Sequence, residues 1–222
     1  KRGWGEMTIL KGLKILDFSS LLPGVFTTMM FADFGADVIH VESTKRVDIM
    51  RIMPPYDENK ESYIHQHLNR SKRSIRLNLK TKEAVEIVKT LIQEYDIVIE
   101  GFRPGVMKRL GLDYETLKEV NPKLIYCSVT GYGQTGPYKD RPGHDNNYLS
   151  IAGVLDHSRL KGKKPVTMGI QIADIAGGTL HAAIGVLAAA LHREQTGEGK
   201  YIDVSMTDAT FTLNALYGTA FL

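Results

Sequence analysis

The stretch that decides the fold runs from Lys14 to Val41 and reads KILDFSSLLPGVFTTMMFADFGADVIHV. Its pattern predicts a buried strand over Lys14–Asp17, a turn over Ser19–Gly24, a helix over Val25–Phe34 closed by Gly35, and a second strand over Asp37–Val41. Two strands joined by a helix form a β-α-β unit, whose crossover is right-handed and whose strands are parallel. The stretch therefore predicts an α/β fold built on a parallel sheet.

The same alternation continues along the chain. After a polar, poorly patterned segment at residues 43–68, Thr81 suits the N-cap of a helix whose apolar residues recur at helical spacing up to Ile92. The further elements expected are strands at Ile97–Ile99, Leu124–Val129 and Tyr201–Met206, and helices at Val106–Leu110, Asp113–Val120, Asp174–Arg193 and from Thr207 onward. We expect the helix beginning at Asp174 to be buried on most sides. The predicted fold class is α/β with a doubly wound parallel sheet.

Composition narrows the class of protein. The 222 residues are 43% hydrophobic, enough for a proper core, and the net charge of +3 gives no strong field for nucleic acid or an anionic membrane. The apolar stretches fall short of the roughly 18 residues that span a bilayer, and a signal-peptide layout is missing, so the cytoplasm is the expected location. We expect one domain over residues 7–222, with residues 1–6 upstream of it. The single cysteine, Cys127, excludes an internal disulfide and is expected in the core.

Three sequence patterns suggest other functions, but the residues around each pattern argue against that function. Gly131–Gly136 matches the dinucleotide-binding G-x-G-x-x-G, but Pro137 and Pro142 prevent the helix that must open at its third glycine. Asp156-His-Ser158 has the residue types of a hydrolase triad, but neighbours in sequence point apart, so a polar turn is expected. The histidines lack metal-ligand spacing, so no metal site is expected.

Two acid–base groups stand out in the second half of the chain. His144 and Asp145 follow a Gly/Pro-rich loop at residues 130–142, and Asp174 begins an apolar, glycine-bearing segment. Histidine exchanges protons near neutral pH, and the helix dipole stabilises an ionised carboxylate at a helix start. We expect His144 and Asp174 to meet in one pocket and to act on a proton beside a carbonyl group.

A basic cluster precedes the helix that Thr81 caps. Asn69–Arg76 carries four cations and no acid, and Arg159–Lys164 carries four more. These side chains either form a solvated face or bind the phosphates of a small anionic ligand. Nucleic acid is not expected, because no basic stripe alternates with stacking aromatics. Ligands of open α/β sheets bind beyond the carboxyl ends of the strands, so the turn at Glu100–Gly105 suits a nucleotide moiety on which Phe102 stacks.

Several motifs, in this order, resemble the family III CoA-transferase superfamily, whose members include CoA transferases and racemases of 2-methylacyl-CoA. The matching segments run from about Leu10 to the last residue and are Gly12–Asp17, Phe34–Glu42, Asn69–Lys80, Gly101–Gly105, Gly131–Pro137 and Gly197–Met206. The resemblance implies a Rossmann-like large domain, an acyl-CoA substrate, no cofactor beyond the CoA of that substrate, and an interlocked homodimer. It also places CoA against Leu22, Pro23, Arg70, Lys72, Arg73, Gly101, Phe102, Arg103 and Arg109.

Within this superfamily the chain carries the racemase form of one motif. Gly143-His-Asp-Asn-Asn-Tyr148 is similar to racemases, in which the histidine and the aspartate matching Asp174 act as opposed bases. Transferases of the formyl-CoA type in this superfamily have a Tyr-Glu pair there and use the aspartate as a nucleophile. The resemblance thus implies His144 and Asp174 as bases at C2 of a 2-methylacyl-CoA, with Asp145 in support. We expect N–H groups at the start of the Asp174 helix to stabilise the enolate oxygen, with Gly177 and Gly178 permitting close approach.

Two alternatives stay open. One is a CoA transferase that forms an acyl-enzyme at Asp174. The other is a CoA-binding fragment without turnover, because family members normally continue beyond the point matching Leu222 into a smaller domain. In racemases that later part supplies another active-site carboxylate.

Overall fold

A computed structural model of the chain describes residues 9–220, and within them a six-stranded, fully parallel sheet forms the centre of the fold. The strands are β1 (Lys14–Asp17), β2 (Asp37–Ser43), β3 (Arg73–Leu77), β4 (Ile97–Glu100), β5 (Ile125–Thr130) and β6 (Tyr201–Ser205). Their order in the sheet is β3-β2-β1-β4-β5-β6, with parallel pairing throughout. This is the doubly wound order of Rossmann-like folds, so the predicted fold class is confirmed. Residues 1–6 and Met7 lie outside the described residues.

Helices connect the strands and cover both faces of the sheet. They are α1 (Leu22–Asp33), α2 (Tyr63–Leu68), α3 (Lys82–Ile92), α4 (Val106–Leu110), α5 (Tyr114–Val120), α6 (Asp145–Ile151), α7 (His181–Thr196) and α8 (Met206–Thr212). A π-helical stretch over Ala173–Leu180 leads directly into α7. Short 3-10 turns occupy Ile49–Ile52, Val154–Ser158 and Gly218–Ala220.

Apolar residues fill both faces of the sheet, which explains why its central strands read as continuous hydrophobic runs. One cluster packs Ile15 and Ile97 against α1, α6 and α7, and the other packs Leu16 and Val98 against α3 and α5. Cys127 is fully buried in the first cluster, as predicted, and burial raises the pKa of its thiol above the usual range.

Most predicted elements are present, with corrections at three places. Thr81 caps α3 as predicted, its hydroxyl accepting from the N–H of Ala84. Helix α1 begins at Leu22 instead of Val25, because Pro23 fits the first helical turn, where its missing N–H costs nothing. The poorly patterned segment 43–68 contains α2, and the basic segment after it contains the edge strand β3, neither of which was predicted.

The helix that begins near Asp174 differs from two expectations. It runs over 24 residues, Ala173–Thr196, and is apolar and long enough to cross a membrane by length and composition, so the expectation that no stretch reaches 18 residues is wrong. Core helices of soluble proteins pass the same test, and Ala182, Ala183 and Val186 pack into the first cluster. The outward face is not buried, since an exposed stripe consists of Leu180, Ile184, Leu187 and Leu191.

Candidate active site

A cleft of about 700 Å³ opens beyond the carboxyl ends of β1 and β4, where the strand order reverses. In doubly wound sheets this reversal creates the crevice in which ligands bind, and the volume is that of a small-molecule site. The cleft brings together seven of the predicted site residues: His144, Asp174, Leu22, Pro23, Gly101, Phe102 and Arg103. Among residues 9–220, Arg103 forms no ion pair, so its guanidinium is available to an anionic ligand.

Asp174 lies at the start of the π-helical stretch, one residue after the buried Ala173. Burial raises the pKa of its carboxyl group to about 6, and the negative charge of Asp145 adds to the shift. A carboxyl group with this pKa exchanges protons close to neutral pH, which suits an acid–base role. A π-helical turn is itself uncommon and occurs preferentially at functional sites.

Asp145 is tied to Asp174 through the backbone. It is the first residue of α6, and its Oδ1 accepts a hydrogen bond from the N–H of Asp174 at 3.0 Å. Asp145 does not line the cleft, so it positions the segment that carries Asp174. The same bond occupies one of the N–H groups that were expected to stabilise an enolate oxygen.

His144 holds the N-cap position of α6, directly before Asp145. Its backbone N–H donates to Oδ1 of Asn147 at 2.9 Å, which closes the first turn of the helix. Its extended backbone and its exposure leave the side chain at the wall of the cleft. Both predicted acid–base groups therefore face one cavity.

Tyr148 is a residue of this site to which the sequence assigned no role. It is buried, its ring lies against Gly131 and Gly143, and a Cβ at either glycine would collide with that ring. Burial raises the pKa of its hydroxyl well above the usual range, and the neighbouring Asp174 adds to this effect. The glycines on both sides were the available signal, since small residues flank a ring where the backbone must approach it closely.

Gly177 and Gly178 serve packing, not ligand approach, so that part of the expected enolate site is wrong. A Cβ on Gly177 would meet the carbonyl oxygen of Met206 at 2.8 Å, and one on Gly178 would meet Cβ of Pro23 at 2.8 Å. Both residues are buried where the π-helical stretch crosses α1 and α8. They let these helices pack closely behind the cleft.

Three of the cations predicted to bind CoA, Arg70, Arg73 and Arg109, lie outside the cleft, and two of them form ion pairs elsewhere. Arg70 pairs with Asp33, and Arg73 pairs with Asp37 and contacts the hydroxyl of Tyr95. Arg109 is exposed in a separate groove between α3 and α4, together with Lys80 and Lys82. This groove, unlike the positions of Arg70 and Arg73, offers three cations that form no ion pair within residues 9–220.

Lys72 points into the protein, where its side chain is 1% exposed. Its Nζ donates to Oδ2 of Asp17 at 3.3 Å and to the carbonyl oxygen of Val25 at 2.9 Å. Oδ2 of Asp17 also bonds Nδ1 of His40 at 3.1 Å, and its Oδ1 accepts the N–H of Ser19 at 2.9 Å. Lys72 is therefore part of a buried network beneath the turn that leads from β1 into the cleft, and a contact with CoA is not supported by this position.

Two of the remaining motifs have the loop and turn structure that their context predicted. No helix opens at Gly136, and the loop continues to α6. Asp156-His-Ser158 lies in one 3-10 turn, where His157 bonds Asn214 and the Ser158 hydroxyl bonds carbonyl oxygens. Across the described part of the chain, no three His, Cys, Asp or Glu side chains form a group able to hold a metal ion.

Comparisons with known proteins agree on one family. The profile of CoA-transferase family III matches residues 10–220. A succinate–glutarate CoA-transferase from Agrobacterium fabrum is 38% identical over 90% of this chain and 51% of its own length, and human alpha-methylacyl-CoA racemase is 37% identical over 93% and 50%. The crystal structure of a CAIB/BAIF family protein from Brucella suis has a TM-score of 0.89 at 36% identity and covers 96% of this chain and 57% of its own. The chain thus spans about half the length of the curated relatives it matches.

Proposed function

Since this chain belongs to CoA-transferase family III, we propose that it forms the CoA-binding part of an acyl-CoA-processing enzyme, and that this enzyme racemises 2-methylacyl-CoA thioesters at C2. The observation that carries the proposal is that His144 and Asp174 line one cleft, with the pKa of Asp174 raised to about 6 by burial and by Asp145. Inversion at an acidic carbon requires two acid–base groups, one for each face of that carbon.

The proposed reaction uses the two bases in turn. One base removes the proton from C2, and the electron pair of the broken C–H bond moves into the thioester carbonyl to give an enolate. The other base then donates a proton to the opposite face of C2, so the configuration is inverted and both bases exchange their protonation states. Arg103, which also lines the cleft, is an available partner for a phosphate of CoA.

CoA transfer is a second candidate, which the names of relatives favour. Besides the Agrobacterium protein, the relatives include a succinyl-CoA:glutarate CoA-transferase from Homo sapiens, 38% identical over 89% of this chain and 45% of its own length. In this mechanism the carboxylate of Asp174 attacks the thioester carbonyl, CoA leaves as a thiolate, and the acyl group remains on Asp174 as an anhydride. The thiolate then attacks the carboxyl carbon of Asp174, which releases the donor acid and leaves an Asp174–CoA thioester. An acceptor carboxylate attacks this thioester and expels CoA as a thiolate, and attack of that thiolate on the acceptor's carbonyl carbon gives the new acyl-CoA and frees Asp174.

One pair of measurements separates the two candidates on the full-length protein. For racemisation we expect deuterium from D₂O to enter C2 of a 2-methylacyl-CoA without any acceptor acid. For transfer we expect no such exchange, but formation of a new acyl-CoA when an acceptor acid is added, and an acyl group on Asp174 that hydroxylamine traps. If CoA binds but neither deuterium exchange nor acyl transfer occurs, the protein binds CoA without turnover.

The pH dependence of the reaction is expected to follow Asp174. With a folded pKa of about 6, its base form is lost as the pH falls from 7 to 5, so kcat/KM should fall with an inflection near pH 6. Asp145→Asn removes the neighbouring charge and keeps an oxygen for the N–H of Asp174, so the inflection should move to lower pH. Burial, the larger cause of the shift, remains. The exposed Asp140→Asn serves as the control, and equal profiles for both variants would contradict the coupling.

The oligomeric state, the small-molecule partner and the cellular location of the protein are also proposals. We propose a homodimer, an acyl-CoA as the small-molecule partner, and a cytoplasmic enzyme that binds neither nucleic acid nor membrane. The exposed apolar stripe on α7 supports the existence of a covering surface, in a second copy or in further chain. Light scattering on the full-length protein tests the dimer, and a monomer at micromolar concentration would contradict it.

A further inference from the structure

We propose that Glu100, which does not line the cleft, is a positioning residue that holds the turn Gly101–Pro104 in the shape that contacts the CoA portion of the substrate. The turn follows β4 and supplies four consecutive residues to the cleft wall. Only the identity of the ligand in this proposal rests on the proposed function. The role of Glu100 toward the turn stands on contacts within the chain.

The contacts of Glu100 point at the turn. It is the last residue of β4 and only 3% exposed, and its Oε2 accepts the N–H of Phe102 at 2.8 Å. Ser128 on β5 lowers the pKa of the Glu100 carboxyl group and so favours its ionised form, and Tyr201 on β6 donates to Oγ of Ser128 at 3.2 Å. The carboxyl group thus bonds the backbone of the turn, beside polar side chains of β5 and β6.

Burying an ionised carboxylate at the position of Glu100 is energetically unfavourable unless its hydrogen bonds compensate for the lost hydration. Among residues 9–220, no Lys, Arg or His forms an ion pair with Glu100, and desolvating an unpaired carboxylate is strongly unfavourable. A neutral side chain of similar size would avoid this cost. Only an ionised carboxylate can form a charge-assisted hydrogen bond to the N–H of Phe102. Such a bond is about twice as strong as a neutral one.

The surroundings of Glu100 make this bond sensitive to pH. Burial raises the pKa of Glu100 to about 7, and the charge of Asp203 on β6 adds to the shift, while the bonds from Ser128 and Phe102 oppose it. A cavity of about 240 Å³ lies on this side of the turn. The other titratable and charged groups facing it are Arg103, Lys108, Asp113, Tyr114, Glu115, Tyr126 and Tyr201. As the pH falls below 7, Glu100 takes up a proton and its hold on the turn weakens.

Amide hydrogen exchange tests the positioning role without any ligand. In Glu100→Ala the N–H of Phe102 loses its acceptor, so we expect the amides of residues 101–103 to exchange about 10-fold faster, while those of α3 are unchanged. Glu115→Ala is the matched control, because Glu115 is an exposed carboxylate of the same cavity. Unchanged exchange at residues 101–103 in a folded Glu100→Ala protein would overturn the proposal.

A second variant guards against misfolding. The folded pKa of Glu100, about 7, lies above its unfolded value, so ionising this group lowers the stability of the fold. The loss of stability is absent below the unfolded pKa, grows as the pH rises toward 7 and is complete above the folded pKa. Glu100→Gln keeps an acceptor oxygen without the charge. It is therefore expected to unfold at no lower temperature than the wild type at pH 8.

Binding of dephospho-CoA tests the consequence for the ligand. This probe lacks the terminal phosphate monoester, which titrates near pH 6. All proteins carry Asp174→Asn and His144→Gln, so the acid–base groups of the cleft do not contribute. With Glu100 in place we expect binding about fivefold tighter at pH 8 than at pH 6, and with the added Glu100→Gln substitution we expect equal binding at the two pH values.

The outcomes separate the two proposals. If Glu100→Gln retains the full pH dependence of binding, Glu100 does not control the turn and the inference is wrong. If none of the proteins binds dephospho-CoA at any pH, the proposed function is contradicted, and the exchange rates of residues 101–103 still decide the role of Glu100.

Discussion

Asp174→Asn is expected to lower turnover of an acyl-CoA by about 10²–10⁴-fold, whichever of the two candidate reactions the protein catalyses. Asparagine is close in shape but neither accepts a proton from C2 nor attacks a thioester carbonyl. Its backbone N–H still donates to Asp145, so the start of the π-helical stretch should keep its place. Steady-state kinetics on the full-length protein, with CoA affinity measured in parallel, provide the test.

The effect should be confined to the chemical step. Asp208→Asn is the matched control, because Asp208 is exposed on α8 and does not line the cleft. We expect wild-type turnover for Asp208→Asn and unchanged CoA affinity for Asp174→Asn. A variant at Asp174 with turnover within a few-fold of the wild type would rule out both mechanisms. A loss in CoA affinity equal to the loss in turnover would place Asp174 in binding instead.

Lys72→Met is expected to destabilise the protein by about 3–5 kcal/mol, the usual effect of removing one partner of a buried ion pair. The side chains of Lys72 and Asp17 are 1% and 0% exposed, so the change leaves a carboxylate without its cation away from water. Burial by itself would raise the pKa of Asp17, but Lys72 and His40 hold it well below its ordinary value. Urea unfolding at pH 7 measures the change.

The neighbouring residue provides the control for Lys72. Arg73 pairs with Asp37, but its side chain is 64% exposed, and such surface pairs contribute about 0–1 kcal/mol. Arg73→Met should therefore have little effect on the unfolding free energy. Similar losses for both variants would show that the buried network does not carry the stability assigned to it.

The contrast between Lys72 and Arg73 also shows where the sequence stops being informative. Both belong to one basic segment, and nothing in its pattern distinguishes the cation that turns inward from the one that stays in water. The partner of Lys72 is 55 positions away, on β1. The segment could be identified as basic from sequence, but its strand and its pairing depend on the edge of a sheet that forms only in the fold.

Sequence patterns correctly predicted the elements that depend on interactions between residues close together in the chain. The central strands, the cap at Thr81 and the helix at Val106–Leu110 follow from apolar spacing and turn residues alone, and the structure confirms them. The start of α1 was missed because Pro23 was interpreted as part of a turn, although proline is equally compatible with a first helical turn. The exposed stripe on α7 was missed because apolar composition does not reveal whether a covering partner is present.

The candidate site also combines features that the sequence predicted with features that only the folded structure shows. The residue types of His144 and Asp174, together with the family resemblance, were enough to expect them in one pocket, and the cleft contains both. The packing role of Gly177 and Gly178 and the position of Tyr148 depend on helix crossings that no single segment encodes. Asp145 was expected to support the site, but its bond to the backbone of Asp174 is visible only in three dimensions.

That bond has a mechanical consequence. It joins the residue after His144 to the backbone of Asp174, so α6 and the π-helical stretch are fastened together at the very points that carry the two acid–base groups. A displacement of α6 that widened the span between imidazole and carboxylate would first have to break this link. The backbone segments that carry the two groups are thus held together by this hydrogen bond before any ligand arrives.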